Sequence, residues 1–371
     1  MVGRSSLSKS ETPHDLKGAR IIIVSTAERE VDPRVYGGVE LVVYNLADAM
    51  LKLKDIYNIE EIAVACCKRS RLPKGVTYIP TVEPKEDPNH DWIKEEEEAY
   101  NIYEPYLKDF NYIIDESWFG FPYIYKLKNP NVKVCHTFHG MPSWNSNPPI
   151  SDNPNYIAVS EVQADMIFNR LGIMPTVIHH GIDTELYHPI ENPSRDYYLF
   201  LNRIMREKGA LEFIWLCEQA KVRGIIAGED KFVSDKEYVE RVKERAEKSD
   251  YVEYIGRVTL EKKIELLQNA KAVIAIPMPP YIEVFGLFCA EALNCGTPVI
   301  ALRNGGLIDQ LKVPYLNALL CDSLLELLTT LIWFDSDGYM LHDWTRICRE
   351  RGLDFSKEIM AKNYLDFLSQ L

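Results

Sequence analysis

Residues 281–301 read YIEVFGLFCAEALNCGTPVIA, an apolar run that keeps two carboxylates, Glu283 and Glu291. An ionised carboxylate is rarely buried without a partner. A Phe285-Gly286 step lies between the two acids. Gly286 opens a short helix, and Gly296 stops it as a residue just past its C-terminus. The start of such a helix aims free N–H groups and a positive dipole end at a ligand, which suits phosphate. Upstream, LNRIMREKGA places Arg203 and Lys208 at a second strand-to-helix turn. A bidentate guanidinium and a point-charge ammonium there would hold a diphosphate. Two acceptor-only acids flanking an N–H cluster, with cations nearby, suit a ligand both polyhydroxylated and phosphorylated. A nucleotide-sugar has that description.

The elements that must position these groups alternate between β-rich runs and helical stretches, the pattern of an α/β protein with parallel sheets. In the first half the expected strands are 20–26, 61–67, 75–80, 112–117, 132–138, 156–160 and 176–180. Helical segments lie between them, including 39–54 and the acidic 92–109, whose EEEE run reads as a solvated face. After the turn-rich HPIENP (188–193) the alternation restarts with YYLFLNRI. Two successive βαβ series imply two doubly wound, Rossmann-like domains facing a central cleft. Glu283 follows the strand KAVIAIP, and in open α/β sheets ligands bind beyond the strands' carboxyl ends. The expected division is a disordered tail (1–18), an acceptor-side N-terminal domain (19–190), a nucleotide-sugar-binding C-terminal domain (191–354) and a terminal helix (355–371). The apolar spacing of Ile359, Met360, Tyr364, Leu365, Phe367 and Leu368 makes that last helix pack, with a crossing back to the first domain open to it.

The chain has 371 residues, 46% hydrophobic and 26% charged, with a formal net charge of −13. That balance weighs against nucleic acid as a partner, because phosphate backbones want a basic face. The basic cluster KRSRLPKG (68–75) reads as a solvated loop in preference to a lipid-headgroup patch, so peripheral membrane contact is only a secondary expectation. No run reaches the ~20 apolar residues of a spanning helix, and the polar start lacks a signal peptide's apolar core. Eight scattered cysteines without a C-x-x-C pair read as reduced, buried thiols of a cytoplasmic protein.

The second half resembles the retaining family-4 glycosyltransferases of GT-B fold in NRIMREKG, AGED, VEYIGRV, KAVIAIP, IEVFGLFCAEALNCGTPVIA and NGGLID. The first half adds GGVELVVYNLA, HTFHG, YIAVS and HHGIDTELYHP. The resemblance spans nearly the whole chain, and the E-x7-E element with CGTPVIA is its most specific piece. It implies that Glu283 contacts donor-sugar hydroxyls and Glu291 the ribose. Arg203 and Lys208 would hold the diphosphate, and backbone groups of Gly286, Leu287 and Phe288 would meet phosphate and sugar. Arg257 and Val258, or the AGED loop, would touch the base. Gly38 would let the chain approach the diphosphate, and His139 would sit by the sugar near the reaction centre. The chain departs from the family pattern at Asn202, Val284 and Asp309, which bears on donor preference.

The activity so implied is retaining, metal-independent hexosyl transfer from a UDP-, GDP- or ADP-sugar to a sugar, lipid or other hydroxyl acceptor, with no cofactor required. The rival readings are a GT-B epimerase or phosphorylase, and an inactive sugar-nucleotide-binding protein. MPSWNSNPPI (141–150) is a candidate acceptor wall. Other signals read as structural. Asp335-Ser336-Asp337 suits a turn better than a metal site, and His136 with His139 lacks the further ligands of a zinc set. His179 and His180 read as strand-end residues with at most one facing the cleft, Asp183 as a turn former, and Ser160 as an N-cap. No Walker A loop, G-x-S-x-G or G-x-G-x-x-G occurs.

Overall fold

The computed structural model describes residues 16–34, 37–85, 87–141 and 154–371. The first half forms a 7-stranded sheet from β1 (Arg20–Val24), β2 (Glu61–Cys66), β3 (Thr77–Pro80), β4 (Tyr112–Asp115), β5 (Lys133–Phe138), β6 (Asn155–Ala158) and β7 (Thr176–Val177). Their order is β3-β2-β1-β4-β5-β6-β7. The second half forms a 6-stranded sheet from β8 (Tyr198–Leu201), β9 (Gly224–Ala227), β10 (Val252–Gly256), β11 (Ala272–Ala275), β12 (Val299–Leu302) and β13 (Leu320–Cys321). Its order is β10-β9-β8-β11-β12-β13, and the pairings in both sheets are parallel. Parallel sheets bury both faces, which is why these strands are continuous apolar runs. In β1, Ile21 and Ile23 enter one apolar cluster while Ile22 and Val24 enter the other, the two-residue period of a pleated strand.

Strand order reverses beside β1 in one sheet and beside β8 in the other. These switch points open a crevice beyond the carboxyl ends, and the loops of the two sheets meet there. The fold is GT-B: two Rossmann-like domains around a cleft. The helix Lys357–Leu368 packs on the first sheet, where Met360, Ala361, Tyr364, Leu365 and Leu368 join the cluster of Val42, Val43 and Leu46. Ile359, expected to pack, is instead 43% exposed. Asp309 ties the two halves together by accepting from the Glu161 N–H at 2.6 Å, at the start of the helix Glu161–Leu171. Ser160 caps that same helix, accepting from the Gln163 N–H at 3.2 Å.

Three local expectations need correction. The strand expected over 176–180 stops at Val177, because the chain beyond it pairs with the approach to the terminal helix. Ile182 donates to Phe355 O and accepts from the Lys357 N–H, each at 2.9 Å, and a Cβ on Gly181 would lie 2.6 Å from Lys357 Cα. His179 and His180 therefore leave the ladder. The EEEE run is not wholly solvated: Glu96 is 5% exposed and accepts from the Trp118 and Phe119 N–H groups at 2.8 and 3.0 Å. Burial outweighs those bonds and pushes its carboxyl up to about 8. Asp335 and Ser336 are not in a turn but close the helix Leu324–Ser336. There Asp335 takes Lys271 at 2.7 Å and the Tyr198 hydroxyl at 3.0 Å.

All eight cysteines are free and buried. Among the described residues, no helix is long and apolar enough to cross a membrane, and no group of three or more His, Cys, Asp or Glu could hold a metal ion.

Candidate active site

The cleft, of about 310 Å³, is lined from both halves. Gly38, His139, Arg203, Lys208, Arg257, Val258, Glu283, Leu287, Phe288 and Glu291 all line it, so the structure brings the residues singled out in the sequence into one site. Gly286 is not in the lining; it is the N-cap of the helix Leu287–Asn294 that faces the cleft. The acceptor wall expected over 141–150 lies outside the described residues from Pro142 onward.

Lys208 ends a short 3-10 turn, Arg206–Lys208, after β8. Gly209 follows at φ +79°, and a Cβ there would meet Ile276 O at 2.6 Å. That close approach sets the turn against the end of β11 and brings Lys208 to Glu283. Lys208 Nζ lies 2.6 Å from Glu283 Oε2 and 2.7 Å from the Tyr281 hydroxyl, with Lys208 and Glu283 only 6% and 7% exposed. Burial pushes the ammonium down, but Glu283 and Tyr281 more than offset it and hold Lys208 above its ordinary value. The Glu283 backbone is itself gripped by NGG. Asn304 Oδ1 accepts from its N–H at 2.8 Å, and its carbonyl accepts from the Gly306 N–H at 2.7 Å.

Glu291, 3% exposed, pairs with Lys263 of the helix Leu260–Asn269 at 2.7 Å. Both acids were expected to find their partners in a ligand; each instead has a lysine of this chain. The reason is burial: an acid this enclosed is held by an opposite charge. Arg203 is exposed in the loop after β8; its N–H donates to Asn202 Oδ1 at 3.0 Å, and its guanidinium lines the cleft with no ion pair among the described residues. Arg257 sits 3.6 Å from Glu229, which also accepts from the Lys231 and Phe232 N–H groups at 2.8 and 2.9 Å. Glu229 and Arg29 of the first half approach to 3.8 Å, and the Arg29 guanidinium covers the Phe232 ring at 3.8 Å.

On the first-half wall, Glu40 accepts from the Thr26 hydroxyl and is fully enclosed, so burial raises its carboxyl. Glu28 beside it is pushed up to about 7 by burial and by Glu40. His139 Nε2 lies 2.8 Å from Glu116 Oε2, with the N–H not aimed along that line. Glu116 also accepts from the Tyr364 and Thr137 hydroxyls at 2.8 and 2.9 Å. Burial alone would raise the Glu116 carboxyl, but His139, Tyr364 and Thr137 bring it below its ordinary value. His136 is a strand residue paired with Asp115 at 2.7 Å, away from this lining. Asp183 accepts from the Glu185 and Leu186 N–H groups, each at 3.0 Å, and pairs with Lys357.

The sequence reading missed Lys263, Tyr281, Glu116, Glu28, Glu40 and Trp118, and it read His180 and Tyr364 as structural; of His179 and His180, it is His180 that lines the cleft. Of these, Glu40 was within reach, since it completes the quoted GGVE. Tyr281 was as well, being two residues from Glu283.

Residues 185–326 match the family described as glycosyl transferases group 1. A curated relative, the D-inositol 3-phosphate glycosyltransferase of Pseudarthrobacter chlorophenolicus, is 34% identical over 136 residues. That stretch is 34% of this chain and 29% of the relative, so the match spans under a third of the relative's length. The likeness of fold is wider. A sucrose-phosphate synthase from Thermosynechococcus elongatus superposes with a TM-score of 0.74 at 19% identity, over 93% of this chain and 97% of that one. Anabaena HepE in complex with UDP and glucose gives 0.72 at 14% identity, over 95% and 100%.

Proposed function

We propose that the protein is a retaining, metal-independent glycosyltransferase that moves a sugar from a nucleotide-diphosphate donor to a hydroxyl acceptor. One observation carries the reading. Two buried Lys–Glu pairs, Lys208–Glu283 and Lys263–Glu291, flank the start of the helix Leu287–Asn294 at the mouth of the cleft. Group 1 relatives are named as glycosyltransferases, and HepE, of the same fold, is a complex with UDP and glucose. UDP is therefore the first base to try.

In this reading the diphosphate lies between Arg203, Lys208 and the helix start at Gly286. The chain's N–H groups and cations stabilise the charge that grows on the leaving oxygen. Glu283 takes hydroxyls of the transferred sugar with the oxygen that Lys208 leaves free. Glu291 and Lys263 take the ribose, and Arg257 with Val258 borders the base. The acceptor hydroxyl attacks the anomeric carbon from the face the diphosphate leaves. The carbon–oxygen bond to phosphate breaks, and the departing diphosphate takes the hydroxyl proton. Glu283 is tied to Lys208 and Tyr281, so it serves as a binding group here and not as a nucleophile. The relative's name offers a phosphorylated inositol as one acceptor to assay, beside neutral sugars and lipids.

The test is a thermal-shift screen against UDP-, GDP- and ADP-sugars. A ligand at 100 times its dissociation constant adds about 2.7 kcal/mol to stability. One base is expected to raise the melting temperature, and Arg203→Ala to reduce the rise. No rise with any nucleotide-sugar would refute the reading.

A further inference from the structure

We propose that His180 holds a hydroxyl of the donor's sugar through its Nδ1, and that Glu116, Thr137 and Tyr364 position it by way of His139. This rests on the nucleotide-sugar reading above. His180 lines the cleft and is 6% exposed. Its ring stacks on His139 with centroids 5.2 Å apart, and it meets the edge of Phe285 at 5.3 Å. Phe285 belongs to the loop that carries Glu283 into Gly286. His180 therefore stands beside the loop that carries Glu283, where the transferred sugar is expected.

The two nitrogens of this ring are in different situations. Nε2 lies 3.4 Å from His139 Nδ1. Nδ1 is buried and has no hydrogen-bond partner among the described residues. A buried polar atom left unmatched is costly, and at a cleft wall a ligand is the natural partner. Burial, then the neighbouring His139, pushes the His180 imidazole well below its usual range, so the ring is neutral. A neutral imidazole donates from one nitrogen and accepts at the other. When His139 Nδ1 donates to His180 Nε2, His180 Nδ1 carries the hydrogen and is the donor left without a partner. In the opposite tautomer it accepts. A hydroxyl satisfies both states, whereas a phosphate oxygen satisfies only the first, and this selects a sugar hydroxyl.

The far side of the pair faces a buried acid. His139 Nε2 faces Glu116, and Glu116 is held by Thr137 from the same strand end and by Tyr364 from the terminal helix. Tyr364 thus acts through two side chains on the ring that meets the ligand, and is a positioning residue.

Two variants of the full chain test the proposal, His180→Asn and His180→Phe. Asparagine keeps a polar atom close to the place of Nδ1, and phenylalanine keeps the ring volume. The Phe variant is expected to lose roughly tenfold in affinity for the nucleotide-sugar that wild type prefers. Its affinity for the matching nucleoside diphosphate should stay unchanged, and the Asn variant should fall nearer to wild type. The reverse ranking, with both ligands affected alike, indicates packing alone and overturns the proposal. An effect confined to the acceptor KM overturns it too. If the Phe variant fails to fold, nitrogen-15 histidine spectra of wild type decide. The His180 Nδ1 signal must shift with the nucleotide-sugar and not with the nucleoside diphosphate, and an unmoved signal overturns the proposal. Tyr364→Phe should weaken the nucleotide-sugar in the same direction as His180→Phe and leave the nucleoside diphosphate unchanged; an unchanged nucleotide-sugar affinity removes the positioning role. A wild-type chain that binds no nucleotide-sugar is a separate outcome, and it sinks the transferase reading itself.

Discussion

Lys208 and Glu283 form a buried ion pair, Nζ to Oε2 at 2.6 Å, between the turn after β8 and the loop after β11. Removing one partner of a buried pair strands the other charge, which typically costs ~3–5 kcal/mol. Lys208→Ala should therefore lower stability as well as turnover. The double variant Lys208→Ala with Glu283→Ala should be less destabilised than the sum of the singles, because neither charge is stranded. Chemical denaturation of the four proteins checks this; additive losses would show that the pair is not coupled.

Lys263 pairs with Glu291 at 2.7 Å, and Glu291 is the proposed ribose group. Lys263→Met frees that carboxylate from its counter-ion. The expected outcome is a change in KM for the nucleotide-sugar of roughly tenfold with kcat altered less, the signature of ground-state binding. A kcat loss with KM unchanged would place Lys263 at the reacting bond instead.

These two pairs mark the limit of what the sequence displays. Glu283, Glu291, Arg203 and Lys208 were legible because each follows a strand whose carboxyl end can be read from an apolar run. Lys263 was not. It sits in LEKKIELL among alternating charges, and only the rotation of the helix Leu260–Asn269 against the helix Leu287–Asn294 decides which lysine meets Glu291. Glu116 and Tyr364 are 248 residues apart, so their bond depends on the terminal helix returning to the first sheet. The parallel strands were visible in their continuous apolar stretches. The end of β7 was not, since Ile182 takes its partners from Phe355 and Lys357 and Gly181 lies against Ser356 and Lys357.

Glu96 gives a pH signature. Its folded carboxyl sits at about 8 against an ordinary 4.5, so the folded state binds the proton more tightly than the unfolded chain does. The contribution is fully present below the ordinary value and is lost as pH rises through about 8. Glu96→Gln keeps an acceptor oxygen for one of the Trp118 and Phe119 N–H groups but cannot ionise. Between those two values wild type should lose stability relative to the variant as pH rises, by an amount on the order of a few kcal/mol. Melting curves at pH 5, 7 and 9 compare them; parallel curves would contradict the assignment.

The terminal helix should be a structural requirement for the first domain. Leu365 is fully buried in the cluster it shares with Val42 and Leu46. Leu365→Ala should cost ~2–5 kcal/mol, read from a denaturant midpoint with an unchanged slope. A loss below about 1 kcal/mol would mean that the helix packs loosely there.

Charge on the leaving group is met in this account by side chains and a helix start, so chelation with EDTA should leave turnover unchanged. A loss restored by added magnesium or manganese would contradict metal independence.

The most direct measurement follows nucleoside diphosphate release and product anomeric configuration by NMR, with the best nucleotide-sugar from the screen and a mixed panel of hydroxyl acceptors. The account predicts acceptor-dependent release, a product with the donor's anomeric configuration, and a loss of at least about a hundredfold in kcat for Arg203→Ala with Lys208→Ala. An inverted product, or release unaffected by removing both cations, would contradict it.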